Sequence, residues 1–537
     1  MRTSPKGSHY ARKRYAGAPP PRLVRVLQPP AKDSGSREIS SFLKATETHV
    51  ETIDCALTLA DWNLYTGKSS RESLPHELER NRYLSSPSLV DFLRSAQSRV
   101  GPGLLVRRLQ LLERMVVDSQ IEQYPPIARV RNRLKARATA FRPRWKGRRV
   151  GRAIVREALR RSPLRAERKA AYYAEQTLYR PLERDLRRLI GARNDRAREL
   201  GFRSYPEFKL SYEGLTVRRL TDWMEEISSI ASSRFRTLRR RFEERTGLSD
   251  WYPWDLHFLR ESETGLPDSP FPARSMVKDV IDGVRGWGFR EPQLRLRIIR
   301  HDLPYGGIEI PVNPPRDVRV IVHPAAGWQS YMILFHEIGH GIHSRSVRVP
   351  THLLRWHEYL PGFYGLIEGV GTLFEELPSS AEWLSSRKGL PPAKVRAFIA
   401  SQKEADLIRM AQLIDGVRSE LGLYLRPDAN PHAERLRFLT RVFGYDEFRP
   451  LSFAGTMSVN APVYEHSYIL AKLFARQVFS TVLSEVGGAV WPNGEIGPWL
   501  TRSWFRDGAL HDWVARMETV TGRPLSARAF LDSVSTA

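Results

Sequence analysis

Apolar residues recur at three- and four-residue intervals over long stretches of this chain, the spacing that lines one face of an α-helix. The pattern predicts helices over Ser41–Tyr65, Ser88–Gln120, Gly151–Ser162, Ala166–Leu200 and Val217–Thr246. Ser86-Pro87, Pro125-Pro126, Ser162-Pro163 and Gly201 punctuate them as caps and breakers. Residues 1–38 mix Pro, Gly, Ser, Lys and Arg without a period and read as a disordered arm. The stretch Gly247–Arg274, rich in Pro, Trp, Asp and Ser, reads as a long loop with Trp254-Asp255-Leu256 as a fixed corner. The period then shortens to two. Gly307–Val312 and Val318–His323 predict a pair of strands joined by a turn at Asn313–Asp317. Helical spacing resumes at Gln329 and runs to the C-terminus, broken near Val349–Gly365, Pro427–Pro431, Gly444–Pro462 and Gly487–Gly497. No internal repeat is visible. The expected fold is mostly α with a small β-hairpin or sheet. Its expected organisation is a basic arm (1–38), an N-terminal helical lobe (39–300) and a helical lobe carrying the β element (301–537).

Composition narrows the classes. A chain of 537 residues with 41% hydrophobic content can bury a large core. Its one cysteine, Cys55, excludes an internal disulfide and argues against a thiolate metal site; beside Ile53, Leu57 and Leu59 it reads as a packing residue. No apolar run reaches membrane-spanning length, and no apolar segment follows the basic N-terminus, so a cytoplasmic protein with no membrane partner is expected.

Lys and Arg number 85 against 59 Asp and Glu, a formal charge of +26. The block Arg129–Lys169 is almost purely basic, with Glu157 and Glu167 its only acids. Such a field attracts nucleic acid or anionic surfaces. Phe141 and Trp145 are too few to stack bases, and the arginines lie on helices with ordinary apolar faces. Solvated helix faces are therefore the favoured reading, and nucleic-acid binding through the basic surface the minor one.

Chemistry concentrates in His336-Glu337-Ile338-Gly339-His340. Two histidines four apart on a helix lie one turn above each other, so both imidazoles reach one metal ion. Glu337 lies beside that face, within reach of a water held there, while Tyr331, Leu334, Phe335, Ile338 and Ile342 form the opposite side. His343 stands where a metzincin pattern requires glycine and Ser346 where it requires its third histidine, which excludes that class. The other common solution is a downstream glutamate. In Leu366–Leu377 the acidic stripe Glu368, Thr372 and Glu375 is spaced to face the histidines, making Glu368 the candidate third ligand to one zinc ion. Glu375 is a candidate to orient an imidazole, and His343 a support or packing residue. The strand edge beside this helix could pair with an extended peptide, or could merely cover the helix.

The run His336–Ser344, followed by Glu368-Gly369-Val370-Gly371-Thr372 and Glu375, resembles the oligoendopeptidase F and thimet oligopeptidase family of zinc peptidases. Similar elements occur in the angiotensin-converting-enzyme-like and thermostable carboxypeptidase families. Gly191-Ala192-Arg193-Asn194, Leu200-Gly201-Phe202 with Tyr205, and Trp254-Asp255 are also similar to family segments. The resemblance implies a two-lobed helical ellipsoid with a deep channel, admitting short peptides and excluding folded proteins. It implies His336, His340 and Glu368 as zinc ligands and Glu337 as the residue that activates water. The family draws its oxyanion donors from a C-terminal segment matching Val463–Ala471, where Tyr468 fits best, with Tyr464 and His466 as alternatives. Ala471 stands where a second tyrosine is common. The expected enzyme is a zinc metalloendopeptidase of the oligopeptidase kind, with carboxypeptidase or dipeptidyl carboxypeptidase action on the same scaffold as the alternative.

Overall fold

Thr216 and Gly247 fix both ends of a helix whose bounds the sequence marks unambiguously. The Thr216 hydroxyl accepts the Arg219 N–H, and Gly247 turns the chain at φ 70°, so the helix runs Val217–Thr246. The same logic operates along the rest of the computed structural model, which describes residues 27, 29–31, 34–68, 73–256, 258, 266–303, 306–355, 360–445, 459 and 461–535. The arm expected before Ile39 falls largely outside the described residues, as do parts of the expected loop at 247–274 and of the break at 444–462.

The first half is helical: α1 Ser36–Tyr65, α2 Ser73–Leu84, α3 Pro87–Ala96, α4 Leu104–Glu122, α5 Pro125–Ala140, α6 Arg152–Arg161, α7 Arg165–Gln176, α8 Glu183–Glu199, α9 Tyr205–Tyr212, α10 Val217–Thr246 and α11 Met276–Gly286. A two-residue hairpin, β1 Arg144–Trp145 with β2 Arg148–Arg149, interrupts it. The single helix expected over Ser88–Gln120 is two, because Pro102 has no N–H to donate and Gly103 turns the chain at φ 138°, outside helical angles. The stretch Ala166–Leu200 likewise divides, around Pro181.

Three strands follow, β3 Arg297–Arg300, β4 Gly307–Asn313 and β5 Asp317–Val322, in the order β3-β5-β4. The expected hairpin is β4 with β5, antiparallel, pairing Ile308 with Ile321 and Ile310 with Arg319. β3 adds in parallel on the other side of β5, leaving β4 as an edge. The second half is α12 Trp328–Ser346, α13 Tyr364–Phe374, α14 Ala381–Ser386, α15 Pro392–Leu425, α16 Pro431–Phe443, α17 His466–Val486, α18 Ile496–Leu500, α19 Trp513–Thr521 and α20 Arg528–Ser535. The fold is thus mostly α with small sheets. Among the described residues no helix is long and apolar enough to cross a membrane.

One apolar core joins residues from Ile39 to Val534. A second, smaller one seats Trp62 of α1 on Leu303, Ile310, Val312 and Ile321, so the sheet lies between α1 and α12. Buried ion pairs join the early helices, and a hydrogen bond from Asn194 ties them to α15. Arg193, fully buried, bonds Glu122 at 2.9 Å, and Tyr205 donates to the same carboxylate at 2.8 Å. Asn194 accepts the Tyr205 N–H and donates to the Tyr424 carbonyl. Asp255, the expected corner, is fully buried between Arg165 and Arg168. Much of the basic block is matched by acids: Arg152 and Arg156 share Glu175, Arg160 and Arg161 share Glu157, and Lys146 meets Glu167. Cys55 is half-buried, and burial pushes its thiol up to about 12.

Candidate metal centre

α12 is buried along nearly all its length, and α13, which crosses it, is buried throughout from Gly365. Their approach depends on missing side chains. A Cβ on Gly371 would lie 2.5 Å from His336 Nε2, and one on Gly339 would lie 2.8 Å from the Phe374 ring. Glycine at both positions lets the His336 imidazole lie directly on α13, where Glu368 is.

His336, His340 and Glu368 come together there, each offering a ligand atom within 4.8 Å of the others. His336 Nε2 and Glu368 Oε2 are 3.4 Å apart, close to the roughly 3.3 Å edge of a tetrahedron with bonds near 2.0–2.1 Å. The other ring nitrogen, His336 Nδ1, meets Glu375 Oε1 at 3.0 Å, and Lys472 holds Glu375 Oε2 at 3.2 Å. That partner fixes the tautomer and leaves Nε2 free to ligate. Burial works against a charge on His336, but the Glu368 and Glu375 carboxylates hold its pKa well above the ordinary histidine range. Burial and the neighbouring His336 lower His340 to about 3, keeping its lone pair available. Two imidazoles and a carboxylate at this separation fit a zinc ion in donor type and spacing, the ion taking the place of the proton between His336 and Glu368.

Glu337 points to the sheet instead. Its Oε2 accepts the Glu309 N–H of the β4 edge at 2.7 Å. Burial pushes its carboxyl up to about 7, with Glu368 adding to the rise and His336 opposing it. Both Glu337 and the β4 edge, from Gly307 to Pro311, line a cavity of about 760 Å³. Its far wall comes from α1, α2, α4, α5 and α9, so residues before and after position 300 enclose the centre together. Lys209 lies in that wall, paired with Asp118 at 3.0 Å and over the Tyr364 ring.

The C-terminal candidates separate. Val463 adopts φ 51°, rare for a β-branched residue, with its N–H held by Glu420. This turn delivers Tyr464, whose hydroxyl donates to Glu368 Oε1 at 2.6 Å. Tyr468 lines the cavity beside it, its phenol against the same carboxylate, and burial together with that charge raises its pKa. His466 is not brought to the centre. Two positions before Tyr468 on one helix, it faces about 200° away, buried 3.7 Å from Glu213. His343 is buried against Phe505, and burial lowers it to about 3, so it packs as a neutral ring. Lys472, which sequence reasoning passed over, lies one turn beyond Tyr468 on the same face; that i, i+4 spacing was the available signal. Glu376 turns away to pair with Arg476.

No protein-family model matches the chain, and no curated protein matches it in sequence. Among solved structures, metallocarboxypeptidase 1 of Trypanosoma cruzi is similar over 93% of this chain and 99% of its own, with a TM-score of 0.65 and 15% identity. At that identity the likeness speaks to the fold alone.

Proposed function

We propose that the protein is a zinc-dependent peptidase that hydrolyses short peptides. The observation that carries this reading is the convergence of His336, His340 and Glu368 within 4.8 Å, with Glu337 beside them. When bound, zinc would supply Lewis acidity to a water and to the scissile carbonyl. Glu337, oriented by the Glu309 amide, takes the proton from the water and returns it to the leaving amine. Tyr468 donates to the carbonyl oxygen as charge builds on it. Tyr464 holds Glu368 rather than the substrate. The β4 edge offers backbone groups to an extended peptide, whatever its sequence.

A cavity enclosed from both sides admits an extended chain but not a folded domain, which supports short peptides as substrates. The metallocarboxypeptidase of similar fold supports removal of C-terminal residues as a second mode on the same scaffold. The test is digestion of a mixed pool of short peptides by metal-loaded protein, read by mass spectrometry, with and without a chelator. Chelator-sensitive cleavage is expected, and the product ends distinguish internal from terminal cuts. An inert, fully zinc-loaded preparation would refute the reading.

A further inference from the structure

A second cavity of about 290 Å³ opens behind the metal centre, and His336 and Tyr468 border both cavities. Its main wall is one stripe of α15, Asp406, Arg409, Met410 and Leu413, the i, i+3, i+4, i+7 face of a helix. Thr372 and Glu375 close one side, Tyr468 and Lys472 the other. The charges in and around this wall already answer one another. Glu375 is held by His336 and Lys472, Asp406 by Arg476 with Lys472 and Arg409 nearby, and Glu376 by Arg476. Three acids, Glu375, Asp406 and Glu376, thus stand against Lys472, Arg409 and Arg476, with His336 a further partner of Glu375. What is left for a visitor is the surface of Met410, Leu413, Thr372 and the Tyr468 ring. A charged side chain entering here would lose its water and gain no partner, whereas an apolar one would lose nothing by leaving water.

We infer that this cavity is the specificity pocket of the enzyme, receiving the apolar side chain of a residue that flanks the scissile bond. The inference rests on the peptidase reading and names its substrate class. His336 and Tyr468 border both cavities, so the second cavity lies next to where a carbonyl held between the metal ligands and the Tyr468 phenol would be. Met410 and Leu413 form its base and set the size of the residue accepted.

The test is kcat/KM of the zinc-loaded protein on a peptide series varied at each position flanking the cut. At one of them Leu, Met or Phe should be preferred over Asp or Lys by at least about tenfold, the discrimination a hydrophobic pocket supplies. Leu413→Trp, which fills the pocket, should move the ranking toward Ala by about tenfold, and Leu413→Ala should move it toward Phe and Trp. A flat ranking in the wild type, or a ranking that neither variant moves, would overturn the inference while leaving the peptidase reading intact. No cleavage of any peptide would overturn both together.

Discussion

The backbone N–H of Glu309 donates to Oε2 of Glu337 at 2.7 Å, joining the candidate base to the edge of the sheet. One strand therefore both orients the carboxylate and borders the cavity in which a peptide would lie. Position and proton transfer are set by the same piece of backbone.

Glu337→Gln keeps the shape and the amide contact but removes the basic oxygen pair. It should retain zinc and thermal stability while losing at least about a hundredfold in kcat. Turnover close to wild type, in a preparation shown by metal analysis to be loaded, would remove Glu337 from the role.

Burial raises the Glu337 carboxyl to about 7, and a base works only when ionised. kcat/KM should therefore rise with pH through the acidic range, with a midpoint no higher than about 7, since a cation beside the carboxyl can only pull its pKa down. A profile that falls across this range would show that a protonated group is the one required.

The two tyrosines should respond differently. Tyr468→Phe should lower kcat by about one to three orders of magnitude with little change in KM. Tyr464→Phe frees Glu368 and should instead weaken zinc binding, measured by chelator competition. Equal effects of both on kcat with none on zinc would reverse the assignment of Tyr464.

Glu375→Gln removes the charge that orients His336 and should weaken zinc binding by about 10–100-fold without unfolding the chain. Glu368→Ala should go further and leave the protein mostly metal-free. If zinc affinity survives Glu368→Ala, another carboxylate is the ligand.

The sequence carries the centre because helical spacing is local information. His336 and His340 share a face by arithmetic, and Glu368 and Glu375 share theirs. The same arithmetic, applied to α17, separates His466 from Tyr468 and adds Lys472. What spacing cannot carry is distance between segments. β3 reads Arg-Ile-Ile-Arg, with no alternation to mark a strand, and exists because β5 pairs with it from across a loop. The Arg193–Glu122–Tyr205 cluster joins α4, α8 and α9; the family resemblance marks Arg193 and Tyr205, but no window of sequence pairs them with Glu122. The division of Ser88–Gln120 was different: Gly101-Pro102-Gly103 stood in plain view, and the apolar period on either side outweighed it.

Asp255 gives a stability test away from the centre. Asp255→Ala would leave Arg165 and Arg168 without their shared carboxylate, Arg168 in a buried position, and should cost about 3 kcal/mol in chemical denaturation. A loss well below that would mean the arginines find water or other acceptors.

Tyr464 and Tyr468 lie far along the chain from His336, and α1, which covers the sheet, lies far before it. During synthesis the early helices emerge with one wall of the cavity and no partner for it, and the metal ligands follow before the phenols that complete the centre. On the peptidase reading, the growing polypeptide therefore cannot complete the centre until α17 has left the ribosome.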